Sequence, residues 1–251
     1  MKRRFLSAEW RHLAMLNYDV DPAILRPLVP GGTDLDSWNG KTFLSLVGFL
    51  FLRTRVLGIP IPFHRNFEEV NLRFYVRRRA PESWRRGVVF VKEFVPKAAI
   101  AAVARWVYNE NYVACPMGSH VRMPDASSGV RGSVEYTWTS QSVRNALRVE
   151  FEGPPSLPEA GSEEEFITEH YWGYVRQRNG SALEYGVEHP PWRASSAHLA
   201  CAVEVCYGRQ YCAALEQQPS SAFLAEGSAV SVFRGERLPA QAAIPSASLS
   251  G

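Results

Sequence analysis

The chain has 251 residues, of which 46% are hydrophobic, 12% aromatic and 21% charged, with a formal net charge of +3. That supply of apolar residues is ample for a large core and excludes a disordered chain, while so small an excess of cations excludes a strongly basic nucleic-acid binder. The longest apolar run, Phe43 to Leu52, is about half of the ~20 residues a membrane-spanning helix needs, and the start, MKRRFLSAEWRHL, has basic residues with no apolar stretch after them, so no membrane segment or signal peptide is expected.

In chain order, residues 10–18 (WRHLAMLNY) read as a first strand. Asp21 and Pro22 open a short helix, AILRPLV, which Pro30-Gly31-Gly32 stops. Asn39-Gly40 is a hairpin turn, and the strand after it, Thr42 to Leu52, is apolar on both faces and therefore central. Gly58 to Phe63 (GIPIPF) is a loop, because its two prolines cannot sit in a central strand. From Phe67 the chain alternates strictly: Val70, Leu72, Phe74 and Val76 share one face, and Glu69, Asn71, Arg73 and Tyr75 the other. A second, more apolar strand runs from Gly87 to Val95 and completes a hairpin. Pro96 then opens an Ala-rich helix ending near Asn109, apolar on nearly every side and so expected to be buried.

Ser119–Arg122 resumes as a strand, a polar loop covers Asp125–Gly129, and Arg131–Thr139 with Ser142–Phe151 make another hairpin. Gly153 to Gly161 is a surface connection. Ser162-Glu163-Glu164-Glu165 has the form of a capping box before an aromatic strand, His170–Arg178, which Asn179-Gly180 turns into Ser181–His189. Two last strands, Leu199–Val205 and Ser228–Phe233, flank a short helix around Tyr207–Leu215. No repeat or composition shift divides the chain, so residues 8–238 read as a single domain, with 239–251 a small, polar, disordered tail. Many short strands with turn signals and two or three helices make the class α+β and mainly antiparallel β, a barrel or sandwich with flanking helices.

Familiar catalytic signatures are absent: no H-E-x-x-H, G-x-S-x-G, P-loop or dinucleotide fingerprint, and six scattered histidines without ligand spacing. No metal and no cofactor is expected. Cys115, Cys201, Cys206 and Cys212 form no C-x-x-C pair and read as reduced thiols of a cytoplasmic protein. The cluster Arg77-Arg78-Arg79 with Arg85-Arg86 lies at a hairpin tip and reads as a solvated loop; no nucleic-acid partner is expected, and assembly into a homo-oligomer is left open. Two constellations carry chemistry. The polar row Glu69, Asn71, Arg73 and Tyr75 must find partners or face an internal cavity. The aromatic set His170, Tyr171, Trp172 and Tyr174 either lines a pocket or packs a core. Lys97 stands apart: in the first turn of a buried helix, the helix dipole and loss of solvent both disfavour its charged form, the condition for an amine nucleophile. Its alternatives are to reach water or to pair with Glu93.

The blocks WRHL (Trp10–Leu13), VDPAILRPLVP (Val20–Pro30), FEEVNLRFYV (Phe67–Val76), FITEHYWGY (Phe166–Tyr174) and SAFLAEGS (Ser221–Ser228), in that order, resemble the YqjF-like family of uncharacterised bacterial proteins, over roughly residues 8–238. That family is similar to the acetoacetate decarboxylase-like superfamily, which implies a closed antiparallel β-barrel with flanking helices and an internal small-molecule site. The decarboxylase's own pattern is matched at Tyr18, Asp21, Leu25-Arg26 and Val29-Pro30. Its active-site arginine then falls on Arg11, and its proline-preceded Schiff-base lysine on Lys97. Its two active-site glutamates fall on Leu44 and on the Arg53–Leu57 region, which has no acid, and its second lysine on Ala98. The resemblance implies a small-molecule-binding barrel for a small organic anion or oxo-acid. One alternative is a Schiff-base lyase, with Lys97 as nucleophile, Arg11 holding the substrate carboxylate and Glu69 or Tyr75 handling protons. Another is a structural barrel filled by side chains.

Overall fold

The computed structural model describes residues 3–125, 131–199, 207 and 209–238. Strands β1 (Arg4–Asp19), β2 (Asp34–Leu35), β3 (Phe43–Val56), β4 (Ile59–Pro60), β5 (Phe67–Arg79) and β6 (Trp84–Val95) lead to helix α1 (Ala98–Tyr108). Then come β7 (Tyr112–Ala114), β8 (Met117–Arg122), β9 (Gly132–Ser140), β10 (Val143–Phe151) and helix α2 (Glu163–Thr168). The chain continues through β11 (Trp172–Arg176), β12 (Ala182–Glu188), β13 (Ala194–Leu199), helix α3 (Arg209–Leu215), β14 (Ser221–Phe233) and β15 (Glu236–Leu238). Pairing runs β12-β11-β6-β5-β3-β1-β14, and β14 pairs with β12 again at Val187–Val232, so the path is a ring. Most pairs are antiparallel; β11 and β7 each lie parallel to β6.

From β14 the hydrogen bonding continues through β13 to β10, β9 and β8. This second layer packs on the outer face of the ring, where Leu44, Leu46, Leu72 and Phe74 meet Tyr136, Leu147 and Val149. The inner face is lined by another cluster that includes Leu13, Met15, Val47, Phe49, Phe67 and Phe223. β3 and β5 are thus covered on both sides, which is why β3 carries apolar residues at successive positions. It also means that the polar face of β5 is dry: Glu69, Asn71 and Tyr75 are all at most 2% exposed. Bulges bend the strands. His12, Arg53 and Gly227 have φ of 55°, 55° and 76°, and the β1–β3 register slips between Arg11 and Ala14. A Cβ on Gly227 would stand 2.0 Å from the Trp10 carbonyl oxygen, so only glycine permits this crossing.

Several expected elements change in detail. The helix after Asp21 is two 3₁₀ turns, Pro22–Ile24 and Arg26–Leu28; Asp21 caps the first, accepting from Ala23 N–H at 2.8 Å, and Pro27, which has no N–H, interrupts a longer helix. Ser162 caps α2 through the Glu165 N–H at 3.1 Å. The region 57–63 is a loop apart from the two-residue edge strand β4. β7 and β15 were not legible as strands. The arginine cluster is not simply solvated. Arg78 and Arg85 both pair with buried Glu184, and Arg86 pairs with Asp36 at 2.7 Å; removing both arginines from Glu184 would leave a buried carboxylate unpaired. The expected helix at Pro96 begins two residues later and is not buried: Ala101 is its inward residue, whereas Val103 is 44% and Trp106 88% exposed. The expected strand 199–205 lies mostly, and the expected loop 125–129 and tail 239–251 almost wholly, outside the described residues. Among the described residues no helix is long and apolar enough to cross a membrane.

Candidate functional site

The inner face of the ring lines a cavity of about 220 Å³ that reaches solvent beside the exposed Ile61 and Val103. Its wall follows from strand register. Asn71 on β5 stands opposite Val47 on β3 and Glu93 on β6, and Glu93 in turn lies beside Tyr112 on β7. Glu69 and Arg73 flank Asn71 at two-residue spacing on the same face. Glu110 arrives from the turn after α1, whose C-cap Asn109 takes the left-handed conformation. From the far side β12 contributes Tyr185, the end of α2 contributes Thr168, and the segment after it contributes His170. Aromatic rings form most of the remainder, among them Trp10, Phe49, Phe90, Trp172 and Trp192.

Three carboxyls therefore share one dry space. Glu69 accepts from Asn71 Nδ2 at 3.0 Å and from the Tyr112 hydroxyl at 3.1 Å. Burial raises it to about 7 against these two bonds. Glu110 accepts from the Tyr185 hydroxyl at 2.7 Å, and burial raises it to about 8. Among the described residues no donor reaches either Glu93 oxygen within 3.5 Å, because the neighbouring Tyr112 hydroxyl gives its proton to Glu69; burial first, then the neighbouring Glu110 and Glu69, push Glu93 well above the usual carboxylate range, with Tyr112 opposing them in part. Burial likewise holds His170 well below the ordinary imidazole value, with the Arg86 and Arg73 charges adding to the effect, so its ring is neutral near pH 7. That ring lies 4.6 Å from the Tyr75 ring and 5.5 Å from Phe166, and the Ile167 backbone opposes the downward shift in part. Arg73, 8% exposed, forms no ion pair among the described residues; its guanidinium lies 5.7 Å from the centre of the Tyr75 ring and its Nε is unpartnered. Despite the three glutamates, no three His, Cys, Asp or Glu side chains among the described residues are gathered so as to hold a metal ion.

Of the residues singled out from sequence, Glu69, Asn71 and Arg73 line the cavity together, and Arg11, Tyr75 and Lys97 do not. Arg11 follows the inward Trp10 by one position on β1 and so faces away. Its guanidinium binds Glu9 at 3.1 Å and the Gly227 carbonyl at 3.2 Å, with the side chain 38% exposed. Tyr75 is buried beside the cavity, but its hydroxyl donates to Ser45 Oγ at 2.8 Å, and Ser45 donates to Asn17 Oδ1 at 2.7 Å, a purely internal chain. Lys97 is half-buried rather than buried. The end of β6 carries extended backbone through Pro96 to Lys97, whose φ of −116° makes it the residue before the helix rather than one in its first turn. Of the aromatic set, His170 and Trp172 line the cavity, whereas Tyr174 packs in the outer core and bonds Glu184 at 2.9 Å.

Glu93, Glu110, Tyr112 and Tyr185 were missed. Glu93 had a usable signal: an acid in an apolar strand, opposite Asn71 once the hairpin is closed. Glu110 lies in the turn after α1, and Tyr112 opens the three-residue strand β7, too short for a period to be read.

The chain is 28% identical over 198 residues to the uncharacterised protein YqjF of Bacillus subtilis (strain 168), covering 77% of this chain and 76% of that protein. Among solved structures, the enduracididine biosynthesis enzyme MppR complexed with pyruvate aligns with a TM-score of 0.66 at 14% identity, covering 96% of this chain and 92% of that one. Acetoacetate decarboxylase from Legionella pneumophila subsp. pneumophila str. Philadelphia 1 aligns with a TM-score of 0.65 at 10% identity, covering 94% and 87%. An acetoacetate decarboxylase-like enzyme from Sphingomonas wittichii RW1 gives 0.61 at 13% identity, covering 93% and 92%. At these identities the likeness is one of fold: strand-rich, mostly antiparallel, acetoacetate decarboxylase-like. A family model matches residues 7–229, nearly the whole length, and the chain belongs to DUF2071, a family of uncharacterised conserved proteins.

Proposed function

We propose that the ring of strands is a closed barrel whose cavity binds a small organic acid, with Arg73 as the anchor for its carboxylate. The observation that carries this reading is the state of Arg73: a buried guanidinium on the cavity wall, with no ion-pair partner among the described residues and with Nε unmatched. An uncompensated buried cation is costly, and a carboxylate offers a guanidinium two parallel hydrogen bonds. The pyruvate named with MppR supports the same ligand class for the fold. The test is calorimetric titration with pyruvate, butyrate and pentanoate. Binding of at least one carboxylate is expected, with affinity falling at least tenfold in Arg73→Met. If none binds, or if R73M binds as well as the native chain, the reading fails.

A catalytic version is favoured by Glu69, a carboxyl that changes charge close to neutral pH inside the cavity and can move a proton. The Schiff-base route has no comparable support. Among the described residues that line the cavity there is no lysine, and Lys97 lies outside its wall.

A further inference from the structure

The unmatched polar atoms on the cavity wall are sorted by kind. Among the described residues no donor stands within 3.5 Å of Asn71 Oδ1 or of either oxygen of Glu93. These three sites belong to a directly opposed cross-strand pair, with Asn71 1% and Glu93 1% exposed. The Asn71 amide nitrogen is committed to Glu69, which fixes its oxygen as the free end. Two residues further along β5, about 7 Å of strand, the polarity reverses: Arg73 offers an unmatched N–H and lies against the Tyr75 ring. Buried groups left unsatisfied on this scale cost free energy unless something arrives to pair with them. A plain carboxylic acid would satisfy Arg73 and leave the Asn71–Glu93 acceptors bare.

We propose that the ligand is amphoteric, with a carboxylate on Arg73 and an amino, amidino or guanidino group on the Asn71–Glu93 pair. This rests on the reading of the cavity as an organic-acid site and adds the second half of the ligand. Once Glu93 gives up its proton, a nitrogen group with several N–H donors is the chemistry that fills its two oxygens and Asn71 Oδ1 at once. Its positive charge also supplies what Glu93 lacks: burial and the nearby Glu110 and Glu69 carboxyls all oppose ionisation of Glu93, and a cation reverses that balance. The aromatic wall, with Trp10 and Phe90 among its rings, favours a cation over a second anion.

The experiment titrates the full-length chain with unbranched ω-amino acids of three to six carbons, the matching alkanoates, the matching alkylamines and 4-guanidinobutyrate. At least one bifunctional probe is expected to bind tenfold or more tightly than both its alkanoate and its alkylamine. Glu93→Gln should erase most of that gain while changing alkanoate affinity less than threefold. An alkanoate that binds as tightly as every bifunctional probe overturns the amphoteric ligand and leaves the acid site standing. A bifunctional gain that survives E93Q unchanged overturns the assignment to Asn71–Glu93. Absence of binding by every carboxylate probe overturns both readings. If E93Q does not fold, the probe comparison on the native chain decides.

Discussion

At the scale of single residues, the cavity turns three ordinary glutamates into groups that keep or exchange protons near neutrality. Glu69 is the most versatile, because its oxygens are already oriented by Asn71 and Tyr112 and its ionisation falls at about 7. If the site is catalytic, the reaction it suits is removal of a proton from the carbon next to a carbonyl. The Glu69 carboxylate takes the proton and the electron pair moves onto the carbonyl oxygen. A positioned base of this kind is worth about 10²–10⁴-fold. Exchange of the C3 hydrogens of 2-oxobutyrate with deuterium oxide, followed by NMR, should therefore proceed with the native chain. It should rise with pH through about 7 and fall at least a hundredfold in Glu69→Gln. Exchange in E69Q at the native rate would leave a binding protein without this chemistry.

At the scale of elements, placement depends on neighbours that leave room. Tyr185 reaches Glu110 because its register partner across β11–β12 is Gly173. A Cβ at Gly173 would stand 2.1 Å from the Tyr185 ring, in space that ring fills. Gly173→Ala should displace the tyrosine, break its bond to Glu110 and destabilise the fold by about 1–3 kcal/mol as an overpacked site. Tyr185→Phe, which removes only the hydroxyl, should cost about 1 kcal/mol. Urea unfolding of both variants separates the two effects; G173A within 0.5 kcal/mol of native would show that the ring can yield. Helix α1 makes the complementary point. Its apolar residues are there because Ala99, Ile100 and Val103 border the cavity, and not because the helix is enclosed.

For the molecule as a whole, burying these groups ties stability to pH, and the sign follows from which state holds more protons. Glu110 and Glu69 have folded-state values of about 8 and 7, above their unfolded value of 4.5. Between those limits the folded chain holds more protons, so stability falls as pH rises. His170 and His189 are lowered by burial, so the unfolded chain is the better proton acceptor below about 6.5, and stability there rises with pH. The histidine trend opposes the carboxyl trend below pH 6.5 and fades by about pH 7.5, leaving the decline. Stability from chemical unfolding should thus fall between pH 6.5 and 8, by on the order of 2 kcal/mol for Glu110 alone. Glu110→Gln should flatten that decline while keeping an acceptor for Tyr185. A native profile that is level across this window would mean that the carboxyls ionise freely.

What the sequence by itself determined is local. The strict alternation after Phe67 places Glu69, Asn71 and Arg73 on one face whatever surrounds them. Asn39-Gly40 turns with positive φ at both residues and Asn179-Gly180 with positive φ at its glycine, and Ser162 caps a helix through a bond three residues long. Tertiary structure decided which face is inside. Period two says that Trp10 and Arg11 point oppositely, but it is the closure of the ring against β14 and β3 that turns Trp10 inward and leaves Arg11 on Glu9. Lys97 stands off the cavity wall for a related reason: a shift of two residues in the start of α1 takes it out of the first turn, and no local signal sets that boundary. Glu93, Glu110 and Tyr185 come together from positions up to 92 residues apart, across strand pairs and a bulge. Their meeting, and the burial that shifts their protons, exists only once the ring has formed.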